Sequence, residues 1–261
     1  MLSSRPARLI LLAVVAFLFA PSSVSSTGIY EDLGRLSSFV RATREATLES
    51  QGIRTGAPTH DASIYTLSVR LPLKSRVLID AELAYVSLFT PGDIENGFGD
   101  ARVRMRTLLA AGNQRALSMV GAFRAGSGSA SLFPYSTASV DVEGGLAVVD
   151  TLSSTASVWA YATGTHPTRV RDNLKQAGLL PNFLTFAAGL VWSVADRLDL
   201  QGGALAYVFR GDKPREFYFV DLDIRYSETT VFYTSLQAEG GREGDRVIDF
   251  AAAVGIRVSY R

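Results

Sequence analysis

The chain has 261 residues, with 26 Lys and Arg against 25 Asp and Glu, 2 His and no Cys. Near-zero net charge argues against a nucleic-acid binder, which carries a basic surplus on one face. The lack of Cys excludes disulfides, thiolate zinc sites, cysteine nucleophiles and Cys-linked lipid anchors. A hydrophobic content of 47% spread along the chain argues against disorder.

The N-terminus reads Met1-Leu-Ser-Ser-Arg-Pro-Ala-Arg8, then the apolar run Leu9 to Ala20, then Pro21 and small residues. That order of basic, apolar and small residues is the layout of a secretory signal peptide. Val24 and Ser26 suit the positions before a cleavage site, which assigns residues 1–26 to the signal peptide and 27–261 to the mature domain. A membrane-spanning anchor needs about 20 apolar residues, and Pro21 stops this run short. No later segment is long and apolar enough to be a transmembrane helix.

The next stretch is ambiguous. Phe39 to Leu48 alternates loosely, as a strand would, while Ile29, Leu33, Leu36 and Val40 have helical spacing.

After Asp61 the alternation is clear. Strands are expected near 62–71, 76–89, 99–110, 116–125, 137–149, 154–163, 182–194, 198–210, 216–226, 230–240 and 247–260. Ala101, Val103, Met105, Thr107 and Leu109 oppose Asp100, Arg102, Arg104 and Arg106. Tyr218, Val220, Leu222, Ile224 and Tyr226 oppose Phe219, Asp221, Asp223 and Arg225. Side chains flip face at every residue of a strand, so one face is apolar and the other largely charged. A helical period would scatter those arginines around its surface.

Tight turns are expected at Pro72 to Ser75, Ala111 to Arg115, Asp150 to Ser153, Ala195 to Arg197 and Ser227 to Thr229. The connections Thr90 to Phe98, Gly126 to Ser136, Gly164 to Pro181, Gly211 to Arg215 and Gly241 to Arg246 are on the whole longer. Alternating short and long connections suit an outer-membrane barrel. A soluble sandwich also alternates, so the choice turns on which face is wet. Small residues on the apolar face (Ala81, Ala101, Gly121, Ala188, Ala252) fill a sandwich core poorly but suit lipid. Aromatics near strand ends suit the two membrane interfaces: Trp192, Tyr226, Phe232 and Tyr260 by short turns, Tyr85, Phe123, Phe186 and Tyr218 by long loops.

The expected fold is therefore all-β, an antiparallel transmembrane β-barrel of about twelve strands in the bacterial outer membrane. An even count needs one strand more than the eleven read above. It is expected between Ser37 and Gly52, the alternative being an N-terminal helix that plugs the lumen or lies at the periplasmic mouth. The expected lumen-lining residues are Asp80, Glu82, Asp100, Arg102, Arg104, Arg106, Arg124, Asp141, Glu143, Asp221, Asp223, Arg225, Asp249 and Arg257. A hairpin across Thr90 to Phe98 brings Glu82 near Arg104 and Arg106, and the next long loop brings Arg124 towards Asp141. These charges either tie the wall together or orient a polar solute in a pore.

No catalytic, cofactor or metal site is expected. His60 and Ser63 point to opposite faces of an extended strand, and His166 sits in a long loop with no acid placed beside it. An enzyme is thus disfavoured, since a nucleophile and base must meet. Arg169, Arg171 and Lys175 in that loop suit a solvated surface, a lid or a contact with anionic lipopolysaccharide.

Asn96-Gly-Phe-Gly-Asp-Ala-Arg-Val-Arg-Met-Arg106 resembles the glycine-rich strand opening of the phenol meta-pathway (MetA-like) outer-membrane transporter family. The order that follows is also similar: a Pro/Ser/Gly loop over Gly126 to Ser136, a strand with Asp141 and Glu143, then Pro181 to Trp192. The resemblance implies a barrel that passes or binds hydrophobic aromatic compounds, without catalytic residues. The chain ends Tyr260-Arg261 where bacterial barrels usually end on an aromatic, though Gly255 to Tyr260 otherwise looks like their assembly signal. The expected partners are membrane lipid and lipopolysaccharide, the barrel-assembly machinery and a small solute. The function expected is a passive channel or transport protein for small hydrophobic or aromatic solutes; the alternative is a structural or adhesive barrel with partner-binding loops.

Overall fold

The computed structural model describes residues 44–54, 61–74, 76–90, 92–128, 140–169, 182–209, 214–240 and 250–260. The expected signal peptide, the helical spacing over Ile29 to Val40, His60, Arg171, Lys175 and Asp249 lie outside the described residues.

The elements are β1 (Arg44–Arg54), β2 (Asp61–Lys74), β3 (Val77–Thr90), β4 (Asp93–Phe98), β5 (Arg102–Ala111), β6 (Arg115–Arg124) and β7 (Val140–Thr151). They continue with β8 (Ala156–Arg169), β9 (Phe183–Ala195), β10 (Leu198–Phe209), β11 (Arg215–Arg225), β12 (Thr230–Glu239) and β13 (Phe250–Tyr260). Sequential strands pair antiparallel, and β1 closes the ring by pairing with β13 on one side and β2 on the other. Both β4 and β5 lie along β3, so they form one wall strand interrupted at Gly99–Ala101, and the wall has twelve. Among the described residues every wall strand except the short β4 segment pairs on both sides, as strands that cross lipid require.

Arg44–Arg54 is the expected additional strand, and no helix occurs among the described residues. Its loose alternation has a plain cause. Glu45, Thr47, Glu49 and Gln51 face inward as a polar row, but the outward row of Ala46, Leu48, Ser50 and Gly52 is only weakly apolar.

Two connections differ from expectation. Thr90 to Phe98 is not a long loop: Thr90 pairs with Asp93, and β4 continues the hairpin. Gly92 makes that tight turn with φ 92°, a left-handed conformation that costs glycine little. In the other, β8 runs on to Arg169, placing His166 on a strand rather than in a loop.

The sheet is inside out compared with a soluble protein. Leu67, Leu83, Met105, Met119, Leu146, Leu190, Val220 and Leu236 are exposed outward, each at 41% or more. Asp80, Arg104, Arg106, Asp141, Asp199, Asp221, Asp223 and Arg257 are buried on the opposite face. Water would reverse that preference, whereas acyl chains favour the apolar side. Tyr226 and Phe232 pack edge to face 5.9 Å apart on the outer surface near one end, and Tyr85 and Phe98 do so at 5.5 Å near the other. These are two aromatic girdles.

Candidate functional site

Strand pairing brings charges from distant parts of the chain to one side of the lumen. Arg70 on β2 faces Asp80 on β3 in register, and Asp80 faces Arg104 on β5. The Arg70 guanidinium binds Asp80 at 2.7 Å and Glu45 of β1 at 3.0 Å, while Arg106 lies 3.9 Å from Asp80. Further along, Arg102 binds Glu143 and Arg124 binds Asp141 at 3.3 Å. Buried charges demand such partners, because their desolvation is otherwise uncompensated. Glu82 pairs in register with Arg102, two residues from Arg104 and four from Arg106, and its charge acts on Arg104 as well.

The opposite wall is acidic. Asp199, Asp221, Asp223 and Glu239 come from β10 to β12, and Glu49 from β1. Asp223 has Arg257 at 3.6 Å, and Asp199 has Arg225 at 3.3 Å and accepts the Ser193 hydroxyl at 2.6 Å. Tyr233 donates its hydroxyl to Glu49 at 2.5 Å, with the Arg257 guanidinium 5.4 Å from its ring centre.

Between these walls, β8 to β11 present aromatic rings inward. Trp159 lies 6.0 Å from Phe219 and 6.3 Å from Tyr161, both near-parallel, and Tyr207 meets Phe183 and Phe217 edge to face. Several rings cover a glycine across the ladder. A Cβ at Gly189 would lie 2.8 Å from Trp159, and one at Gly203 would lie 2.7 Å from Phe219. The glycines let bulky rings lie flat against the wall instead of blocking the bore. On β1 to β3 the lumen side carries an apolar cluster of Ile53, Ala62, Ile64, Val86 and Leu88.

A cavity of about 70 Å³ lies where the charged and aromatic walls meet, lined by Arg102, Arg124, Asp141, Glu143, Tyr161, Thr165, Phe183, Thr185 and Tyr207. In both of its ion pairs the arginine is the more exposed partner, 35% against 10% for Arg124 and Asp141. A solute there meets guanidinium edges on one side and rings on the other.

The expected lumen residues thus fall in distinct places. Asp80, Arg102, Arg104, Arg106, Asp141, Glu143, Asp221, Asp223 and Arg257 project to the interior, as does Glu82 by register. Arg124 sits at the loop end of its strand, and Arg225 at the turn end, where it also donates to the Asp196 carbonyl at 2.9 Å. Asp100 lies in the break between β4 and β5 and accepts the Gly128 N–H at 3.0 Å. Sequence reasoning missed Glu45, Glu49, Arg70, Asp199, Glu239 and the inward rings. Strand parity alone would have found Arg70, which shares a face with Thr66 and Ser68; the rings share parity with polar and small residues, which hid them.

His166 contacts Asn182 at 2.8 Å and is exposed. Among the described residues, no group of three or more His, Cys, Asp or Glu is placed to hold a metal.

No protein-family model matches the chain, and no curated protein matches it in sequence. Solved structures do. An outer-membrane channel from Pseudomonas putida F1 superposes with a TM-score of 0.64 at 13% identity, covering 84% of this chain and 95% of that one. The fold is that of outer-membrane channels. The KdgM porin in complex with disordered oligogalacturonate gives 0.58 at 10% identity over 84% and 99%. The CymD monoaromatic hydrocarbon channel gives 0.51 at 9% identity over 92% and 94%. These neighbours are channels and porins, not enzymes.

Proposed function

We propose that the protein is a channel of the bacterial outer membrane that passes small solutes with apolar or aromatic character. The observation that carries this reading is the lumen itself, with one charged wall, one acidic wall and a bank of aromatic rings between them. Rings offer apolar contact to a hydrophobic solute, and the charged walls keep the passage wetted. The similar solved structures include a monoaromatic hydrocarbon channel, which favours this solute class. The narrower resemblance to the phenol meta-pathway family belongs to the same reading and rests on Asn96 to Arg106. In this reading the end with the tight turns and Tyr260 faces the periplasm, the other connections face outward toward lipopolysaccharide, and the expected lumen residues form the wall that the solute meets.

The test is reconstitution of the purified barrel into planar bilayers and liposomes. Discrete conductance steps, with faster entry of small arenes into protein-bearing vesicles, are expected. Zero conductance together with unchanged entry overturns the channel.

A second reading has its own observation. Arg106, Leu205 and Asp221 are each only 1% exposed, so parts of the interior are tightly filled. A filled barrel would serve as a scaffold or adhesin whose loops bind a partner. Deleting residues 126–136 separates the two: lost attachment with unchanged solute entry favours the scaffold.

A further inference from the structure

The cavity where the charged and aromatic walls meet has a surplus of hydrogen-bond donors. Arg102 on β5 and Arg124 on β6 stand opposite each other in the ladder, and both line the cavity. Like charges directly opposite are destabilising, so this pair needs anions close by. The acids beside it, Glu143 and Asp141, both come from β7. They are recessed at 11% and 10% exposure, whereas the guanidiniums stand forward at 19% and 35%. Arg102 reaches Glu143 through one nitrogen. Among the described residues Arg124 has a single ionic contact, its Nη1 3.3 Å from Asp141. A guanidinium carries five N–H donors, so most of those of Arg124 are left to whatever fills the cavity. Glu82 adds negative charge on the β3 side of Arg102 but does not line the cavity.

Strand ends set its position. Arg102 opens β5, Arg124 ends β6, Asp141 is second on β7 and Phe183 opens β9, so the cavity lies at the end of the lumen away from the tight turns. Its volume of about 70 Å³ is the share of about two molecules of liquid water, enough for a carboxylate group and too little for a ring. Its aromatic side is Tyr161, Phe183 and Tyr207, the last two edge to face at 5.8 Å. A ring joined to such a carboxylate would lie over these side chains, where apolar and edge-to-face contacts are on offer.

The four charged residues of the lining sum to zero, so what the wall presents at its surface decides which sign is favoured. An ammonium would meet the forward guanidiniums before it reached the recessed acids, and like charges brought together are costly. A neutral solute would give the unspent guanidinium donors no charged acceptor. We propose that this cavity binds the carboxylate of small aromatic acids, with Arg124 as the principal donor, Arg102 as the second, and Phe183 and Tyr207 against the ring. The planar fork of a guanidinium matches a carboxylate, and such charge-assisted bonds are the strong ones. Transport of aromatic acids deepens the channel reading above and rests on it; their binding does not.

Benzoate, benzyl alcohol and benzylammonium at neutral pH serve as probes, since they share a ring and differ in charge; acetate supplies the carboxylate without the ring. Binding to the purified barrel in detergent is read by isothermal titration calorimetry, and entry into protein-bearing liposomes is read in parallel. Benzoate is expected to bind at least about tenfold more tightly than each of the other three. Arg124→Gln removes most of its advantage over benzyl alcohol, and Phe183→Leu weakens benzoate while leaving acetate unchanged. Benzoate that binds the parent barrel no more tightly than benzyl alcohol, or not measurably, overturns the proposal whatever the variants do. So does a folded Arg124→Gln barrel that binds benzoate as the parent does. Selective benzoate binding without protein-dependent entry of any probe leaves the site standing and removes the channel; protein-dependent entry without selective binding does the reverse.

Discussion

Tyr233 and Glu49, 184 positions apart in the chain, are joined by a 2.5 Å hydrogen bond that passes over Gly255. Tyr233 pairs with Gly255 on β13, and Gly255 pairs with Glu49 on β1, so the bond spans the seam at which the last strand closes onto the first. A side chain at Gly255 would occupy the space of the Tyr233 ring. Barrel closure therefore depends on an absent side chain as much as on the hydrogen bond.

The seam yields the first prediction. Tyr233→Phe removes a donor from a buried carboxylate and is expected to cost about 1.5–3 kcal/mol. Gly255→Val is expected to be worse, because the ring cannot lie over it. Urea unfolding in detergent, followed by Trp fluorescence, checks both; a Gly255→Val barrel with an unchanged midpoint would remove the seam argument.

The second prediction concerns rings over glycines. Gly189→Val and Gly203→Val should each displace the Trp159–Phe219 stack. Loss of near-UV circular dichroism from Trp159 in the folded variant is expected. Retention of the full signal would show that the rings do not need those glycines.

The third prediction tests which face meets lipid. Leu190→Arg and Val220→Arg place a charge mid-strand on the outward face and are expected to cost about 2–4 kcal/mol. Leu71→Arg, close to the β2–β3 turn, should cost about 0–1 kcal/mol because the guanidinium reaches the interface. Equal effects at all three sites in folding titrations with lipid vesicles would contradict a membrane-spanning wall.

The fourth prediction separates buried from exposed ion pairs. Arg70→Met removes the cation that Glu45 and Asp80 share, leaving Asp80 only Arg106 at 3.9 Å, and is expected to destabilise by about 3 kcal/mol. Arg115 also has an acid partner, Asp150, but its side chain is 71% exposed. Arg115→Met should leave the unfolding midpoint where it was, since water replaces the pair. Matching losses for the two variants would mean that Arg70 is solvated too.

The strands were legible because period-2 alternation survives wherever one face is lipid and the other charged, as in Tyr218 to Tyr226. Arg44–Arg54 was harder to see, since its outward row contains Ser50 and Gly52. The Thr90–Asp93 hairpin escaped because Asp93, Glu95 and Asn96 look like a polar loop, yet near a strand end such residues remain solvated. The inward rings escaped for a related reason: parity says which residues share a face, not whether an aromatic on the polar face is packed over a glycine.

Sequence alone determined an all-β chain whose strands carry one apolar and one charged face, because that pattern is local and repeats at every second residue. It also put Arg124 beside Asp141, as neighbours across one connection. What only the tertiary structure decided is who meets whom around the ring: Glu45 with Arg70, and Tyr233 with Glu49. Those relations follow from strand register and from closure of β1 onto β13. Register is the summed outcome of all pairings around a cylinder, and no single segment encodes it.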